Sequence, residues 1–176
     1  MLIKYQGQYV GKNGMAAGFI DSPVPPGPSL PPYTIRLKYK QGTTPTFSKG
    51  TGVLVDSTNN IWDLTYENTD WNRLFNNHTN LLEVIEANTS NVTMMYYMFI
   101  GCKSLTFVPL FDTSNVTKMN SMFYNCYKVQ SGALALYQQA STQTTPPTYH
   151  SRTFTNCGRD TQTGSAELAQ IPSGWK

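Results

Sequence analysis

The sequence predicts an α+β fold in which a short solenoid of stacked units is capped by a small antiparallel β-sheet and preceded by a β anchor and a proline-rich linker. Three observations predict it. Similar side chains recur every 24 residues in the middle of the chain, which is typical of stacked repeats. Apolar and polar residues alternate in the segment before these repeats, as in half-buried strands. Six of the eleven prolines lie between residues 21 and 32.

Residues 1–20 are predicted to form the anchor hairpin. Three β-prone runs surround Gly11-Lys12-Asn13-Gly14, and its Asn-Gly pair is typical of a hairpin turn. Twenty residues cannot bury a stable core alone, so we expect this piece to fold against a partner or a second copy of the chain. The candidate anchor side chains are Leu2, Ile3, Tyr5, Tyr9, Val10 and Phe19.

Residues 21–32 should run as an extended, semi-rigid linker, because closely spaced prolines favour the polyproline conformation. Apolar residues then alternate with polar ones from Tyr33 to Tyr39, which predicts a strand. Residues 53–55 and 61–65 are predicted as two further strands. Residues 33–70 should therefore form a β cap that covers the open end of the solenoid.

Residues 71–176 contain the repeat and a C-terminal cap. Thr89-Ser90-Asn91-Val92-Thr93 returns 24 residues later as Thr113-Ser114-Asn115-Val116-Thr117. Within a unit, the i, i+3, i+4 spacing of Met119, Met122 and Phe123 predicts a helical turn, and the alternation over residues 105–110 predicts a short strand. Strand, turn and helix in each unit make a leucine-rich-repeat-like solenoid. The cap is predicted to hold helices at residues 133–140 and 166–169, closed by Trp175.

The structural core of the repeat is predicted from residues that share one register. The last interval of the repeat, from Phe123 to Phe154, is 31 residues long and not 24. We therefore infer an insertion of about seven residues in the last unit. The cysteine spacings of 24 and 31 follow the repeat and match no zinc signature, so we interpret the cysteines as buried free thiols and expect no metal and no cofactor. These core residues are Phe75, Phe99, Phe123, Phe154, Cys102, Cys126 and Cys157.

Catalytic residues are not predicted. His78 and His150 are the only histidines, and no nucleophile motif accompanies them. Two pairs of acids could serve as glycosidase carboxylates, but solvated surface is the simpler interpretation of both pairs. These pairs are Glu83 with Glu86 and Asp63 with Glu67.

A family resemblance rests on the central repeat. The run from Met98-Phe99 through Val108-Pro109-Leu110 to Phe111-Asp112-Thr113-Ser114-Asn115-Val116-Thr117 resembles the BspA-type leucine-rich repeats of bacterial surface proteins. The resemblance covers residues 72–125 well and extends more loosely to Cys157. It implies a β-lined solenoid used for adhesion or display, without a catalytic centre.

Four tyrosines next to the buried repeat positions form a candidate contact surface: Tyr96, Tyr97, Tyr124 and Tyr127. Tyrosine offers a large contact area with a polar tip, which suits sugars or a partner subunit. The alternative is that these side chains pack between neighbouring repeats.

The composition limits the class of function. Charged residues make up 13% of the chain and the net charge is +3, with no dense basic block, so nucleic acid is not expected as a partner. No apolar run approaches the ~20 residues that span a bilayer, so no membrane insertion is expected. The N-terminus starts with Met1 and lacks the pattern of a secretory signal. These two features favour a protein that is part of a virus particle and is released by lysis.

The leading hypothesis is a non-enzymatic bacteriophage virion protein at the virion surface, either a head fibre, a capsid decoration protein or a tail-associated protein. Its N-terminus would bind capsid or tail proteins, copies of the chain would associate, with a trimer favoured, and the head would bind host glycans or surface proteins. The alternative is a BspA-like adhesin on a bacterial cell surface. A glycan-active enzyme is the third hypothesis.

Overall fold

The computed structural model describes residues 3–5, 8–10 and 30–176. Its elements, in chain order, are β1 (Ile3–Tyr5), β2 (Gln8–Val10), β3 (Thr34–Tyr39), β4 (Thr51–Asp56), β5 (Ile61–Thr65), β6 (Leu81–Ala87), α1 (Ala133–Thr142), α2 (Gln162–Gln170) and a short 3-10 helix (Ser173–Trp175). Within these ranges, no helix combines the length and the apolar character that crossing a membrane requires.

The anchor region is described in part. Strands β1 and β2 pair in antiparallel fashion, with Tyr5 opposite Gln8. Four of the candidate anchor residues, Ile3, Tyr5, Tyr9 and Val10, belong to these two strands. Leu2, Phe19, the Asn13-Gly14 turn and most of the predicted linker lie outside the described residues.

A four-stranded antiparallel sheet has the strand order β4-β5-β3-β6. The three strands predicted between residues 33 and 70 are confirmed as β3, β4 and β5. The fourth strand, β6, follows residue 70 in the chain. Ile35 and Leu37 of β3 and Leu64 of β5 are fully buried and line the inner face of the sheet, which joins the main core.

Four irregular turn segments, residues 71–77, 94–101, 118–125 and 149–155, lie side by side. Alternate amides of one segment donate to carbonyls of the next. The N–H groups of Met95, Tyr97 and Phe99, for example, donate to the carbonyls of Lys118, Asn120 and Met122 at 2.7, 3.0 and 2.9 Å. The same pattern joins the first segment to the second and the third to the fourth. Each of the first three segments therefore uses about half of its amides to hold the next one, and the fourth segment accepts through its carbonyls.

The prediction of a leucine-rich-repeat-like solenoid is wrong. Among the described residues, the regular structure is the β1–β2 pair, the four-stranded antiparallel sheet, two short helices and one 3-10 turn, and units of strand, turn and helix do not form. The apolar spacing of residues 119–123 predicts a helical turn, but Ser121 has a φ of 55°, in the left-handed region that ends a right-handed helix. In residues 105–110, Phe107 alone forms a β-bridge, with Ser131.

A column of phenylalanine rings fills the space behind the turn segments. Phe75, Phe99, Phe123 and Phe154 are fully buried, and their successive ring centroids are 5.2, 5.3 and 6.0 Å apart with planes within 15°. The ring of Trp175 lies 6.4 Å beyond Phe154. Stacked rings at these distances combine apolar burial with favourable aromatic contacts.

The two helices predicted in the C-terminal cap are confirmed as α1 and α2, and they support each other. Helix α1 begins after Gly132 without a side-chain cap of its own. Instead, the Glu167 carboxylate of α2 accepts hydrogen bonds from the N–H groups of Gly132 (3.2 Å) and Leu134 (3.1 Å). A carboxylate at this position satisfies free amides and complements the positive end of the helix dipole.

We expect Phe99→Ala to reduce the free energy of unfolding by about 3–5 kcal/mol, because it removes a fully buried ring that contacts a ring on each side. Denaturant unfolding of the full chain measures this change. Tyr149→Ala is the control, since Tyr149 is 57% exposed, and we expect it to cost less than about 1 kcal/mol. Equal losses in the two variants would contradict the role of the ring column.

Candidate functional site

The three cysteines are fully enclosed and free. The Sγ atoms of Cys102 and Cys126 donate to the carbonyl oxygens of Phe75 and Phe99, each at 3.1 Å. Burial raises the pKa of all three thiols, and that of Cys126 reaches about 12. A thiol that stays protonated is a poor nucleophile and a poor metal ligand. Among the described residues, no cluster of three or more His, Cys, Asp or Glu side chains is arranged to hold a metal ion.

His78 lies in an aromatic box at one end of the phenylalanine column. Its Nδ1 is 2.7 Å from the hydroxyl of Tyr39, and its ring centroid is 6.0 Å from that of Phe47 and 5.6 Å from that of Phe75. Burial lowers the pKa of His78 and raises the pKa of Tyr39. We therefore assign a neutral imidazole that accepts a hydrogen bond from the phenol.

His150 lies at the opposite end of the column. Its ring stacks on Trp175, with centroids 4.2 Å apart and planes at 11°. Its Nδ1 is buried without a hydrogen-bond partner among the described residues. His78 contacts Phe75 at one end of the column, whereas His150 stacks on Trp175, which covers Phe154 at the other end. The fold therefore does not bring the two imidazoles together.

Three of the acids considered as glycosidase carboxylates are placed opposite cations on the outer face of the sheet. Arg36 donates two hydrogen bonds to Asp63, both at 2.7 Å, and this pairing raises the pKa of Arg36. In the register of β3 and β6, Glu83 is opposite Lys38 and Glu86 is opposite Arg36. The carboxylate of Asp63 is thus committed to an ion pair. Glu67 is exposed beyond the end of β5.

All four candidate contact tyrosines are half-buried. The rings of Tyr96 and Tyr97 meet edge to face at 5.6 Å. Tyr127 lies under the guanidinium of Arg159 at 4.2 Å, an arrangement typical of a cation–π contact. Tyr124, in the third turn segment, keeps a similar partial exposure.

Sequence reasoning missed a fifth tyrosine. Tyr149 is 57% exposed, and the Lys118 ammonium lies 5.4 Å from its ring centroid. Tyr149 and Lys118 also form a parallel β-bridge. The signal that would have found Tyr149 is the 31-residue interval, which places it in register with Lys118.

A strip of partly exposed side chains runs across the four turn segments. Parallel β-bridges join Asp70 to Met94, Met94 to Lys118 and Lys118 to Tyr149. Between the two columns of the strip, the side chains of Trp71, Met95 and Met119 point into the core. We call this surface the outward strip, and it consists of Asp70, Met94, Lys118 and Tyr149 in one column and Asn72, Tyr96, Asn120 and Ser151 in the other.

A comparison with protein-family models identifies residues 46–159, well over half of the chain, as matching DUF285, described as "Mycoplasma protein of unknown function". The chain belongs to the DUF285 family. This family is associated with BspA-like repeat proteins, which confirms the coarser part of the resemblance seen in the sequence. No curated protein and no solved structure matches the chain.

We expect the thiols of this DUF285 protein to resist alkylation in the native state, because burial raises the pKa of each one. Labelling with iodoacetamide near pH 8, followed by intact-mass measurement, should show native protein that is largely unmodified and unfolded protein that carries three labels. Rapid labelling of the native chain at any of the three positions would contradict this placement.

Acidification should destabilise the protein through His78. Its folded-state pKa lies below the unfolded value of about 6.5, so the unfolded chain takes up a proton first as the pH falls. The contribution of His78 to the free energy of unfolding is therefore fully present above about pH 6.5. It declines as the pH falls from there towards the folded-state pKa. Denaturant unfolding at about pH 7 and about pH 5.5 should show a larger loss for the wild type than for His78→Gln. His150 is present in both chains, so equal losses would contradict the assignment to His78.

Proposed function

We propose that this DUF285 protein is a non-enzymatic surface protein whose described head, residues 30–176, binds a host surface or its glycans. The observation that supports this proposal most directly is the outward strip. It sets carboxylate, amide, hydroxyl, ammonium and phenol groups side by side on four segments joined by backbone hydrogen bonds. A surface held in this way is preorganised, which lowers the entropy cost of binding.

The polar chemistry of the strip agrees with that function. Tyr96 and Tyr149 supply aromatic area, while Asn72, Asn120 and Ser151 supply donors and acceptors. Sugars present both apolar ring faces and hydroxyl groups, and amphipathic side chains of this kind match both.

The carrier that displays the head is the second part of the proposal. The order of anchor, proline-rich segment and head in the sequence favours a bacteriophage virion protein, such as a head fibre, a decoration protein or a tail-associated protein. In that case, residues 1–20 bind capsid or tail proteins and copies of the chain associate, with a trimer favoured. Membership of DUF285 favours the alternative carrier, a bacterial cell surface on which the protein acts as an adhesin.

Fractionation of the organism that produces the chain tests display and carrier together. We expect antibodies to find the full chain on gradient-purified virus particles, and recovery in the cell envelope instead would identify the adhesin. A variant lacking residues 1–20 should no longer be recovered with the virus particle or the cell envelope. The circular dichroism of its head should stay unchanged. Full-length Tyr149→Ala is the control and should stay attached. Recovery of the wild type in the cytosol alone would refute surface display.

A further inference from the structure

An open cleft lies between the β3–β4 connection and the first turn segment. Its volume is about 480 Å³, within the range of small-ligand sites. The connection contributes hydroxyl groups and an ammonium group, and the turn segment contributes amides and a guanidinium. Besides His78, the polar residues that line the cleft from the two sides are Thr46, Ser48, Lys49, Asn72, Arg73 and Asn76.

Two cations face this cleft without carboxylate partners. Lys49 Nζ donates to the carbonyl of Asn72 at 2.8 Å and lies 5.8 Å from the ring centroid of Tyr66. The guanidinium of Arg73 lies 5.1 Å from the ring centroid of Tyr97. Among residues 30–176, neither cation forms an ion pair, and the lining of the cleft includes no Asp or Glu.

The aromatic contacts leave the cations available for a ligand. A ring face attracts a cation without occupying its N–H donors, so Arg73 keeps its fork of donors and Lys49 keeps two of its three. The carboxylate of Asp70, nearby in sequence, is already engaged by the backbone and side-chain amides of Asn72 at 2.9 and 3.0 Å. Among the described residues, no carboxylate is therefore in direct contact with either cation.

A smaller, neutral cavity of about 250 Å³ adjoins the cleft. His78 and Thr46 line both spaces and so mark where they meet. Hydroxyl and amide side chains dominate the neutral part, with the ring of Pro45 among them. Such side chains can donate to and accept from uncharged sugar hydroxyls. The hydroxyl and amide residues of this part are Thr43, Thr44, Asn77, Thr79 and Asn80.

We propose that the cleft binds an acidic saccharide, with a sulfate or carboxylate group at Lys49 and Arg73 and an uncharged sugar unit against the threonine- and asparagine-lined part. The inference rests on the proposed function only in taking a surface glycan as the ligand. The guanidinium fork of Arg73 matches the paired oxygens of a sulfate or carboxylate, and Lys49 adds a second point of positive charge.

The chain contains a matched control for Arg73. Arg152 occupies the corresponding left-handed position of the fourth turn segment, with a φ of 58° against 54° for Arg73, and both side chains are exposed. A glutamine substitution at either position therefore has the same backbone demand and removes one positive charge. The difference between the two variants is that only Arg73 lines the cleft.

Isothermal titration of the full chain with three probes tests the proposal. The probes are a sulfated heparin tetrasaccharide, a trigalacturonate and the neutral maltotetraose, so that sulfate and carboxylate are compared directly. We expect at least one acidic probe to bind, with an affinity that falls as salt is added, and maltotetraose to bind far more weakly. Lys49→Gln and Arg73→Gln should each weaken binding roughly tenfold, and Arg152→Gln should leave it unchanged.

The other outcomes overturn the inference in distinguishable ways. Equal weakening by Arg73→Gln and Arg152→Gln would mean that net charge, and not the cleft, attracts the saccharide. Equal binding of maltotetraose and the acidic probes would show that no anionic group is recognised. Lack of binding by all three probes would remove the cleft as a saccharide site. Surface display is decided separately by fractionation, so it can stand when the cleft proposal fails.

Discussion

Four phenylalanine rings, one from each turn segment, stack at centroid distances between 5.2 and 6.0 Å, and the positions of the surrounding groups depend on this column. The rings supply the apolar burial that irregular segments need, because turns without a helix or a sheet gain little stability from local hydrogen bonds alone. The lateral backbone bonds then fix the distance from one segment to the next. Ring stacking and amide pairing thus both hold the four segments side by side.

The two ends of the column differ in chemistry. At one end, the column meets the inner face of the sheet, and His78 is held between Phe75 and the phenol of Tyr39. Because the β3–β4 connection folds over this end, a polar cleft forms beside the histidine. At the other end, Trp175 covers Phe154 and stacks on His150, and α1 and α2 close the core. The cleft therefore belongs to the end formed by the sheet, while the opposite end is closed by apolar and aromatic packing.

Burial and exposure separate the thiols from the polar surface groups. The thiols are enclosed behind the turn segments, where burial raises their pKa values and keeps them protonated. The amides, hydroxyls and phenols lie on the outward strip and in the cleft. Side chains in the outward strip gain their positions from the backbone bridges beneath them.

The sequence by itself determined the strands β3, β4 and β5, the two helices, and the shared register of Phe75, Phe99, Phe123 and Phe154, because each of these follows from local alternation or from a fixed interval. Only the tertiary structure decided that the i, i+3, i+4 spacing belongs to turns, since left-handed residues such as Tyr97 and Ser121 have no glycine signature and are held by bonds to a neighbouring segment. It also decided that Lys49 and Arg73, 24 positions apart in the chain, share one cleft. Periodicity reports which side chains are buried, whereas the choice of hydrogen-bond partners and the meeting of distant loops depend on the packed molecule.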